Sequence, residues 1–313
     1  MQDTFNDFEA DLADLTKREW LTRLAGVAQA HGFFQPLGKR HFAAHVRRGS
    51  TLLVTFESIQ GMRALTESAE PLGWQMVRDN DWSHLCLASD GDTWFRDPKV
   101  IGLFDHMIDD GFFDDFETIL FYGAGPCGYA AAAFSVAAPG ARVLAIQPQA
   151  TLDPRVTEWD DRFVEMRRKN FTDRYGYAPD MLDACDAAFV IYDPAETLDA
   201  MHAALFTRPG VTKLRMRFMG DAIQRDLMAM GQLYSLLDAM AEDALTVESF
   251  ARMHRARRSH PPYLRRLMAA LDGQERTDMV EVMARNITSR MKAPRFQRRL
   301  AEIEAARTTP AED

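Results

Sequence analysis

The chain of 313 residues is long enough for one large α/β domain or for a domain with a helical appendage. Apolar residues make up 47% of the chain and charged residues 27%, an ordinary balance for a folded globular protein that argues against extensive disorder. The formal net charge of −9 disfavours general nucleic-acid binding.

The spacing of the cysteines and the character of the N-terminal residues predict the cellular compartment of the protein. Cys86, Cys127 and Cys185 are widely separated and form no C-x-x-C pair, so the sequence predicts neither a disulfide framework nor a zinc site. The first residues are acidic and lack the features of a secretory signal, and no window holds the roughly 18 apolar residues that a membrane span requires. We therefore expect a cytoplasmic protein with no metal or other cofactor and no membrane or nucleic-acid partner.

Residues 1–48 are predicted to form a leading helix and a lead-in to the main domain. The helix is expected to be amphipathic and to end near Gly32. Its apolar residues recur at helical spacing, at Phe5, Phe8, Leu12, Leu15, Leu21 and Leu24.

Residues 49–240 alternate between short apolar runs and helical patterns. The predicted strands are 51–56, 83–88, one that begins at 118, 142–146, 187–192 and 211–218, with helices at 60–68 and 100–107. This alternation predicts an α/β domain with a mostly parallel sheet covered on both faces.

From about residue 224 the pattern is helical only. The predicted helices are 227–240, 247–258, 263–271, 279–291 and 296–306. We expect residues 241–308 to form a C-terminal helical region and residues 309–313 to form a frayed tail.

Residues 118–154 have the pattern of a strand, a very tight turn, a small-residue helix and a second strand. Gly123, Gly125 and Gly128 lie at the turn. Hydrolases of the α/β class place a serine in the middle of G-x-S-x-G at such a turn, the nucleophile elbow. The middle residue here is Gly125, so the expected serine nucleophile is absent from the sequence.

The run FYGAGPCGYAAAAFS, followed by PGARVLAIQPQATLDP, resembles the α/β-hydrolase-like proteins of bacteria. These include glycan-linked acyltransferases of accessory secretion systems, which show F-Y-G-x-S-x-G-G-Y-A-A here. The resemblance covers residues 50–240 and implies a three-layer α/β-hydrolase-like fold, to which the C-terminal helices are an appendage. It aligns Gly125 with the serine and Cys127 with the second elbow glycine. It also implies Asp193 as the acidic triad member and places Asp221, after Gly220, where the histidine is expected.

Two interpretations of the turn remain open. In the first, Gly125 only permits a strained backbone and Cys127 is a packed small residue, so the fold binds a small or glycan-like ligand at the carboxyl edge of the sheet. In the second, Cys127 lies in the first turn of a helix, where the N-terminal dipole favours a reactive thiolate for a hydrolase or acyltransferase. That mechanism needs a base, and the resemblance places no histidine beside Cys127.

A third hypothesis, a sulfonucleotide (phosphoadenosine phosphosulfate) reductase, is disfavoured by the sequence. Such reductases resemble S-G-G-x-D-S at a pyrophosphate loop and carry a catalytic cysteine in an E-C-G-x-H tail. Neither string occurs here, and the C-terminal third contains no cysteine.

Two segments beyond the elbow glycines Gly123, Gly125 and Gly128 are candidates for ligand binding. One is the loop with Asp90, Trp94 and Arg96, which follows a predicted strand and also matches the family resemblance. The other begins with Gln149, at the end of the next strand. Its neighbours Gln147, Asp153, Trp159, Asp160 and Arg162 are a possible polar lining. Turn chemistry and loop hydrogen bonding are the alternatives for both segments.

The histidines and the basic C-terminal helices favour structural roles. We expect His84 to be buried with one hydrogen bond, His202 to be a surface or helix-packing residue, and His106 to lie in a solvated acidic loop rather than a metal site. The cationic faces of the last helices, at Arg257, Arg258, Arg265 and Arg266, are interpreted as solvated surfaces, with docking of an acidic partner or of a second copy of the chain as the alternative.

Overall fold

A computed structural model describes residues 12–308 of the chain. Eight strands form one sheet in the order β1-β2-β4-β3-β5-β6-β7-β8. Strands β1 and β2 pair antiparallel with each other, β2 pairs antiparallel with β4, and all other neighbours are parallel. The strands are β1 (Gly32–Leu37), β2 (His41–Val46), β3 (Thr51–Ser58), β4 (Ser83–Ser89), β5 (Thr118–Ala124), β6 (Arg142–Ile146), β7 (Ala187–Tyr192) and β8 (Val211–Arg215).

Helices connect the strands and continue beyond the last one. They are α1 (Lys17–His31), α2 (Ile59–Leu65), α3 (Gly73–Asn80), α4 (Pro98–Asp109), α5 (Pro126–Phe134), α6 (Pro154–Thr157), α7 (Thr197–Leu205), α8 (Ile223–Ala229), α9 (Leu233–Ala241), α10 (Val247–Met253), α11 (Pro261–Asp272), α12 (Thr277–Arg290) and α13 (Pro294–Thr308). Short 3₁₀ segments lie at Phe112–Asp115, Ser135–Ala137, Asp161–Arg168, Ala178–Ala184 and His254–Ser259.

The sheet has a hydrophobic core on each face because its central strands carry apolar side chains on both sides. Along β3, Val54 and Phe56 belong to the core that contains the buried faces of α4 and α5. Their neighbour Leu53 belongs to the opposite core, beneath α8 and α9. Helix α1 covers the same side near β2, where Trp20 is fully buried. The alternation of side chains along a strand therefore produces three layers.

The predicted α/β fold, with a mostly parallel sheet and C-terminal helices, is confirmed. The predicted strands 142–146 and 187–192 coincide with β6 and β7. Strand β8 is shorter than predicted, because it ends at Arg215 and a turn with positive φ at Phe218 follows. The predicted helix 227–240 is two helices, α8 and α9, separated at Gly231, whose φ is also positive.

Two differences concern the N-terminal part of the chain. The predicted leading helix begins only at Lys17 within the described residues, and Phe5 and Phe8 lie outside them. The hairpin of β1 and β2 was not predicted. Strand β1 contains Pro36, which an edge strand tolerates, and β2 contains two histidines and two alanines, with Val46 as its one β-branched residue.

The last three helices, α11 to α13, enclose a small core of their own. Leu264, Ile287 and Phe296 are buried in it. This appendage joins the α/β part through α11, where Arg266 Nη1 lies 2.9 Å from Asp226 Oδ2 of α8. No helix within residues 12–308 combines the length and the apolar character needed to cross a membrane.

Candidate functional site

The turn between β5 and α5 has an unusual backbone. Gly125 has φ 58° and ψ −125°, a conformation that side-chain-bearing residues rarely adopt. Its N–H donates to the Ile146 carbonyl at 2.8 Å, and its own carbonyl accepts from the Tyr129 N–H at 3.0 Å. These bonds hold the turn against β6 and at the start of α5. The strand, sharp turn and helix predicted for this segment are therefore present.

The three glycines of the turn have different surroundings. A Cβ at Gly123 would overlap the Cys127 carbonyl, and one at Gly128 would lie 3.0 Å from the Ile146 carbonyl oxygen. A Cβ at Gly125 would meet no atom within 4 Å. Gly123 and Gly128 thus allow the helix to approach the sheet closely, whereas Gly125 faces open space.

That open space is a cavity of about 400 Å³, here called the elbow cavity. Gly125 and Pro126 line it together with Ala124 at the end of β5 and Gln147 directly after β6. Its polar lining residues are Gln147, Gln149, Arg162, Asp199, Asp221, Gln224 and Arg225. The cavity therefore lies at the carboxyl edge of the parallel sheet, where α/β folds usually hold their ligands.

One wall of the elbow cavity is held by a buried ionic network. Arg162 forms a two-bond contact with Asp160, with Nε 3.0 Å from Oδ1 and Nη2 2.8 Å from Oδ2. Its Nη1 lies 2.6 Å from Oδ1 of Asp199, whose Oδ2 accepts from the Gln147 amide at 2.7 Å. Paired charges with shared hydrogen bonds fix the Arg162 guanidinium at the rim.

His202 completes this network from helix α7. Its Nδ1 accepts from the Ala150 N–H at 3.1 Å, so Nε2 carries the proton and donates to Asp160 Oδ2 at 2.8 Å. Burial alone would raise the pKa of Asp160, but the hydrogen bonds from His202 and Arg162 hold it well below its ordinary value. His202 is fully buried, so it is a packing and hydrogen-bonding residue.

The two carboxylates that the resemblance assigned to the triad region are placed differently. Asp193 directly follows β7 and is buried, and its Oδ2 accepts from the Gly220 N–H at 2.7 Å. Its Oδ1 accepts from the Ala195 N–H at 2.8 Å. Asp221 is exposed and lines the elbow cavity. Asp193 thus holds the backbone just before the position at which a catalytic histidine was expected.

The turn also lacks a backbone donor. In α/β-hydrolases, the N–H of the residue after the nucleophile is one of the donors to the oxyanion. That residue here is Pro126, the first residue of α5, and proline has no N–H. Gly125 and Pro126 therefore supply neither a hydroxyl nor this donor.

Cys127 lines a second, smaller cavity of about 120 Å³. Burial raises the pKa of its thiol, and the carboxylates of Glu57 and Asp92 raise it further. No hydrogen bond joins Cys127 to a histidine in the described part of the chain. These surroundings disfavour the thiolate, in contrast to the lowered pKa expected from the position in the first helical turn.

The loop after β4 has a largely structural arrangement. Arg96 is buried, and its guanidinium donates to the carbonyls of Asn170 at 2.8 Å and Arg174 at 2.7 Å. Trp94 is fully buried, lines the smaller cavity and donates its indole N–H to Gln149 Oε1 at 3.3 Å. Arg96 thus ties two loops together, whereas Trp94 and Gln149 connect the two cavities.

Asp90 lies outside both cavities. Its carboxylate contacts Lys17 at 2.6 Å and accepts from the Gln60 amide at 3.0 Å. Asp90 therefore connects the β4 loop to α1 and α2.

The two other histidines with a predicted role, His84 and His106, lie away from both cavities. His84 is buried and has one hydrogen bond, to Thr55 Oγ1 at 2.8 Å, as expected. The prediction of a loop at His106 was wrong, because His106 is an exposed residue of helix α4, with its Nε2 3.3 Å from Asp110 Oδ2. Within residues 12–308, no group of three or more His, Cys, Asp or Glu side chains is placed to hold a metal ion.

Glu57, Asp199 and Gln224 line the cavities but were not among the predicted site residues. Glu57 is buried at the end of β3, and burial raises its pKa to about 6 although hydrogen bonds from Thr55 and Leu72 oppose the shift. A charged residue directly after the predicted strand 51–56 was the available signal for Glu57. Asp199 and Gln224 lie in ordinary helical patterns and had no such signal.

No family model and no curated protein matches the chain. Among solved structures, the chain is similar to an arylesterase, with 14% identity and a TM-score of 0.40 over 76% of this chain and 95% of that one. It is similar to Est1E from Butyrivibrio proteoclasticus, with 12% identity and a TM-score of 0.43 over 67% and 98% of the two chains. It is also similar to a glycosylation-associated protein complex from Streptococcus agalactiae, with 12% identity and a TM-score of 0.43 over 65% and 45%. The chain's own strand–turn–helix at Gly125, on a mostly parallel sheet with helices on both faces, makes the fold α/β-hydrolase-like.

Proposed function

We propose that this protein is a diverged α/β-hydrolase-like protein that binds a small, glycan-like ligand in the elbow cavity without serine-type turnover. The observation that carries the proposal is the pair Gly125 and Pro126. The turn keeps the backbone of a nucleophile elbow beside an open cavity, but it presents no hydroxyl and no N–H at the following residue.

The loss of catalytic groups is concentrated at the positions that matter most for acyl transfer. Gly125, Pro126 and Asp221 stand where a nucleophile, an oxyanion donor and a general base are expected. The members of such a triad act as a unit, and the acid orients the histidine. With Asp221 at the histidine position, Asp193 has no imidazole to orient there. Asp193 instead serves the backbone at Gly220.

The elbow cavity retains the properties of a binding site. Its volume of about 400 Å³ is in the range of small-ligand pockets. Amide, carboxylate and guanidinium groups on its walls provide both donors and acceptors, which suits a ligand with several hydroxyls. The network around Arg162 holds one wall in place, so little side-chain order has to be gained on binding.

A Cys127-dependent hydrolase or acyltransferase is the alternative. It requires a thiolate and a base, and the surroundings of Cys127 raise its pKa. We therefore treat catalysis by Cys127 as an outcome of the test.

The test combines binding with hydrolysis. Glucose, galactose and N-acetylglucosamine are titrated into the protein and followed by protein NMR. We expect saturable shifts from at least one of these sugars, which Asp221→Asn and Gln224→Ala weaken because both side chains line the elbow cavity. Asp90→Asn is the matched control, since Asp90 lies outside the cavity.

Hydrolysis of p-nitrophenyl acetate is measured on the same samples. We expect the wild-type rate to equal that of Cys127→Ala and of buffer alone. Enzymatic hydrolysis that disappears in Cys127→Ala would establish the alternative, and binding of none of the sugars would contradict the proposed ligand class.

A further inference from the structure

The smaller cavity is separate from the elbow cavity in its chemistry. We call it the Glu57 cavity and define it by Glu57, Phe56, Asp92, Trp94, Phe95 and Cys127 among its lining residues. It shares the wall at Pro126 and Gln224 with the elbow cavity. No Lys, Arg or His lies among its lining residues in the described part of the chain.

Glu57 is a buried carboxylate without a cationic partner. Its Oε1 accepts from Thr55 Oγ1 at 2.6 Å, and both of its oxygens accept from the Leu72 N–H, at 3.2 and 3.1 Å. The Cys86 sulfur lies 3.7 Å from Oε1. Every donor is neutral, and no ion pair within residues 12–308 includes Glu57. Buried charges in proteins are normally paired, so this carboxylate lacks the counter-charge that its burial calls for.

Aromatic residues are also among those that line the Glu57 cavity. Phe56, Trp94 and Phe95 are at most 1% exposed. The rings of Phe56 and Phe95 meet edge to face, with centroids 4.9 Å apart. Aromatic rings attract cations, and the indole ring does so most strongly. The exposed carboxylate of Asp92 adds a second negative charge to the same lining.

The size of the cavity limits the ligand. A cavity of about 150 Å³ binds benzene in a well-studied case. The Glu57 cavity, at about 120 Å³, has room for a molecule of roughly five non-hydrogen atoms by that comparison. An alkylated ammonium ion has this size and combines a positive charge with apolar groups.

We propose that the Glu57 cavity binds a small organic ammonium ion, with Glu57 as its counter-charge and with Phe56, Trp94 and Phe95 as its aromatic wall. The inference does not depend on the proposed function of the elbow cavity, because the lining and the ligand charge differ. The two sites can be tested separately on the full chain.

The test is a titration of tetramethylammonium chloride into the protein, measured by calorimetry at constant ionic strength. We expect saturable binding of one ion per chain, weakened about ten-fold or more in Glu57→Gln, because that change removes the charge but keeps an acceptor oxygen. tert-Butanol, a neutral molecule of similar shape, should bind far more weakly. Asp221→Asn should leave the affinity unchanged, since Asp221 lines only the elbow cavity.

A second measurement covers the case in which Glu57→Gln does not fold. Asp92→Asn changes an exposed lining residue and should weaken tetramethylammonium binding several-fold, because it removes the second negative charge of the lining. Equal affinity of a folded Glu57→Gln, equal affinity of Asp92→Asn, equal binding of tert-butanol or absence of saturable binding would each overturn the proposal.

Discussion

The turn at Gly125 and the end of β3 at Glu57 lie at the same edge of the sheet, but they differ in backbone geometry and in side-chain chemistry. The turn has the backbone of a catalytic motif and no reactive side chain. Glu57 has a perturbed, buried carboxylate and belongs to no motif that the sequence displays. The backbone geometry of a site and the groups that react or bind there are therefore separable. A fold can retain the first while the second moves to a neighbouring position.

The largest expected effect tests which glycines hold the turn. Gly123→Ala should lower the free energy of unfolding by about 3 kcal/mol or more, because its Cβ would overlap the Cys127 carbonyl and force β5 and α5 apart. Gly125→Ala should cost only about 1–3 kcal/mol, the range for backbone strain at an unfavourable φ and ψ. Urea unfolding of both variants measures the difference, and the opposite ranking would contradict the assigned roles.

The next effect concerns the missing chemistry. The triple variant Gly125→Ser, Pro126→Ala, Asp221→His restores a hydroxyl, a backbone N–H and an imidazole near Asp193. We expect hydrolysis of p-nitrophenyl acetate to rise about 100-fold over the wild type, since an oxyanion donor alone is worth about 10²–10³ in rate. Gly125→Ser alone is the matched control and should stay at the background rate.

A folded triple variant without activity would show that Asp221 does not stand at the histidine position. The turn would then resemble a nucleophile elbow in its backbone only. A circular dichroism spectrum and a melting curve establish that the variant is folded before the rates are compared.

Much of the fold could be predicted because its signals are local. Continuous apolar runs predict buried parallel strands, and the glycines around residue 125 predict the tight turn between β5 and α5. The β1–β2 hairpin escaped prediction because its pairing with β4 depends on contacts between distant segments, which override weak local preferences.

The candidate sites could be predicted only in part, for the same physical reason. Gln149 and Asp221 were recognisable from strand ends and from the family resemblance, and both line the elbow cavity. The burial of Glu57 depends on the Leu72 N–H, which lies at the start of another helix. Arg96 is a charged residue in a loop after a strand, a position that is typical of ligand binding. In the structure its guanidinium instead donates hydrogen bonds to the carbonyls of a distant loop. The residue type and its position in the sequence therefore cannot distinguish a side chain that binds a ligand from one that connects two loops.

An effect of intermediate size, the pH dependence of stability, tests whether burial disfavours the charge of Glu57. Its folded pKa of about 6 lies above its ordinary value of 4.5, so folding favours the protonated form. Burial of the ionised carboxylate lowers the free energy of unfolding. This loss of stability is absent when the pH is below the ordinary pKa of 4.5 and is complete when the pH exceeds the folded pKa of about 6, where it amounts to about 2 kcal/mol. Glu57→Gln should accordingly leave stability unchanged in acid and raise it by about 2 kcal/mol at alkaline pH.

Chemical denaturation at several pH values measures this effect. Saturating tetramethylammonium should reduce the advantage of Glu57→Gln, because the bound cation supplies the counter-charge in the wild type only. A wild type whose stability matches that of Glu57→Gln at every pH would show that Glu57 is not strained by its burial.

The smallest expected effect separates the site from its surroundings. Asp90 also follows a strand at this edge of the sheet, but its ion pair with Lys17 is half-exposed. Exposed ion pairs contribute about 0–1 kcal/mol, since water and salt screen them. Asp90→Asn should therefore lower the melting temperature slightly at low salt and not at high salt, and it should leave sugar and tetramethylammonium binding unchanged. A clear loss of either binding in Asp90→Asn would extend the binding region to the β4 loop. That result would contradict the assigned roles, in which buried Glu57 pairs with a ligand and Asp90 pairs with Lys17 of α1.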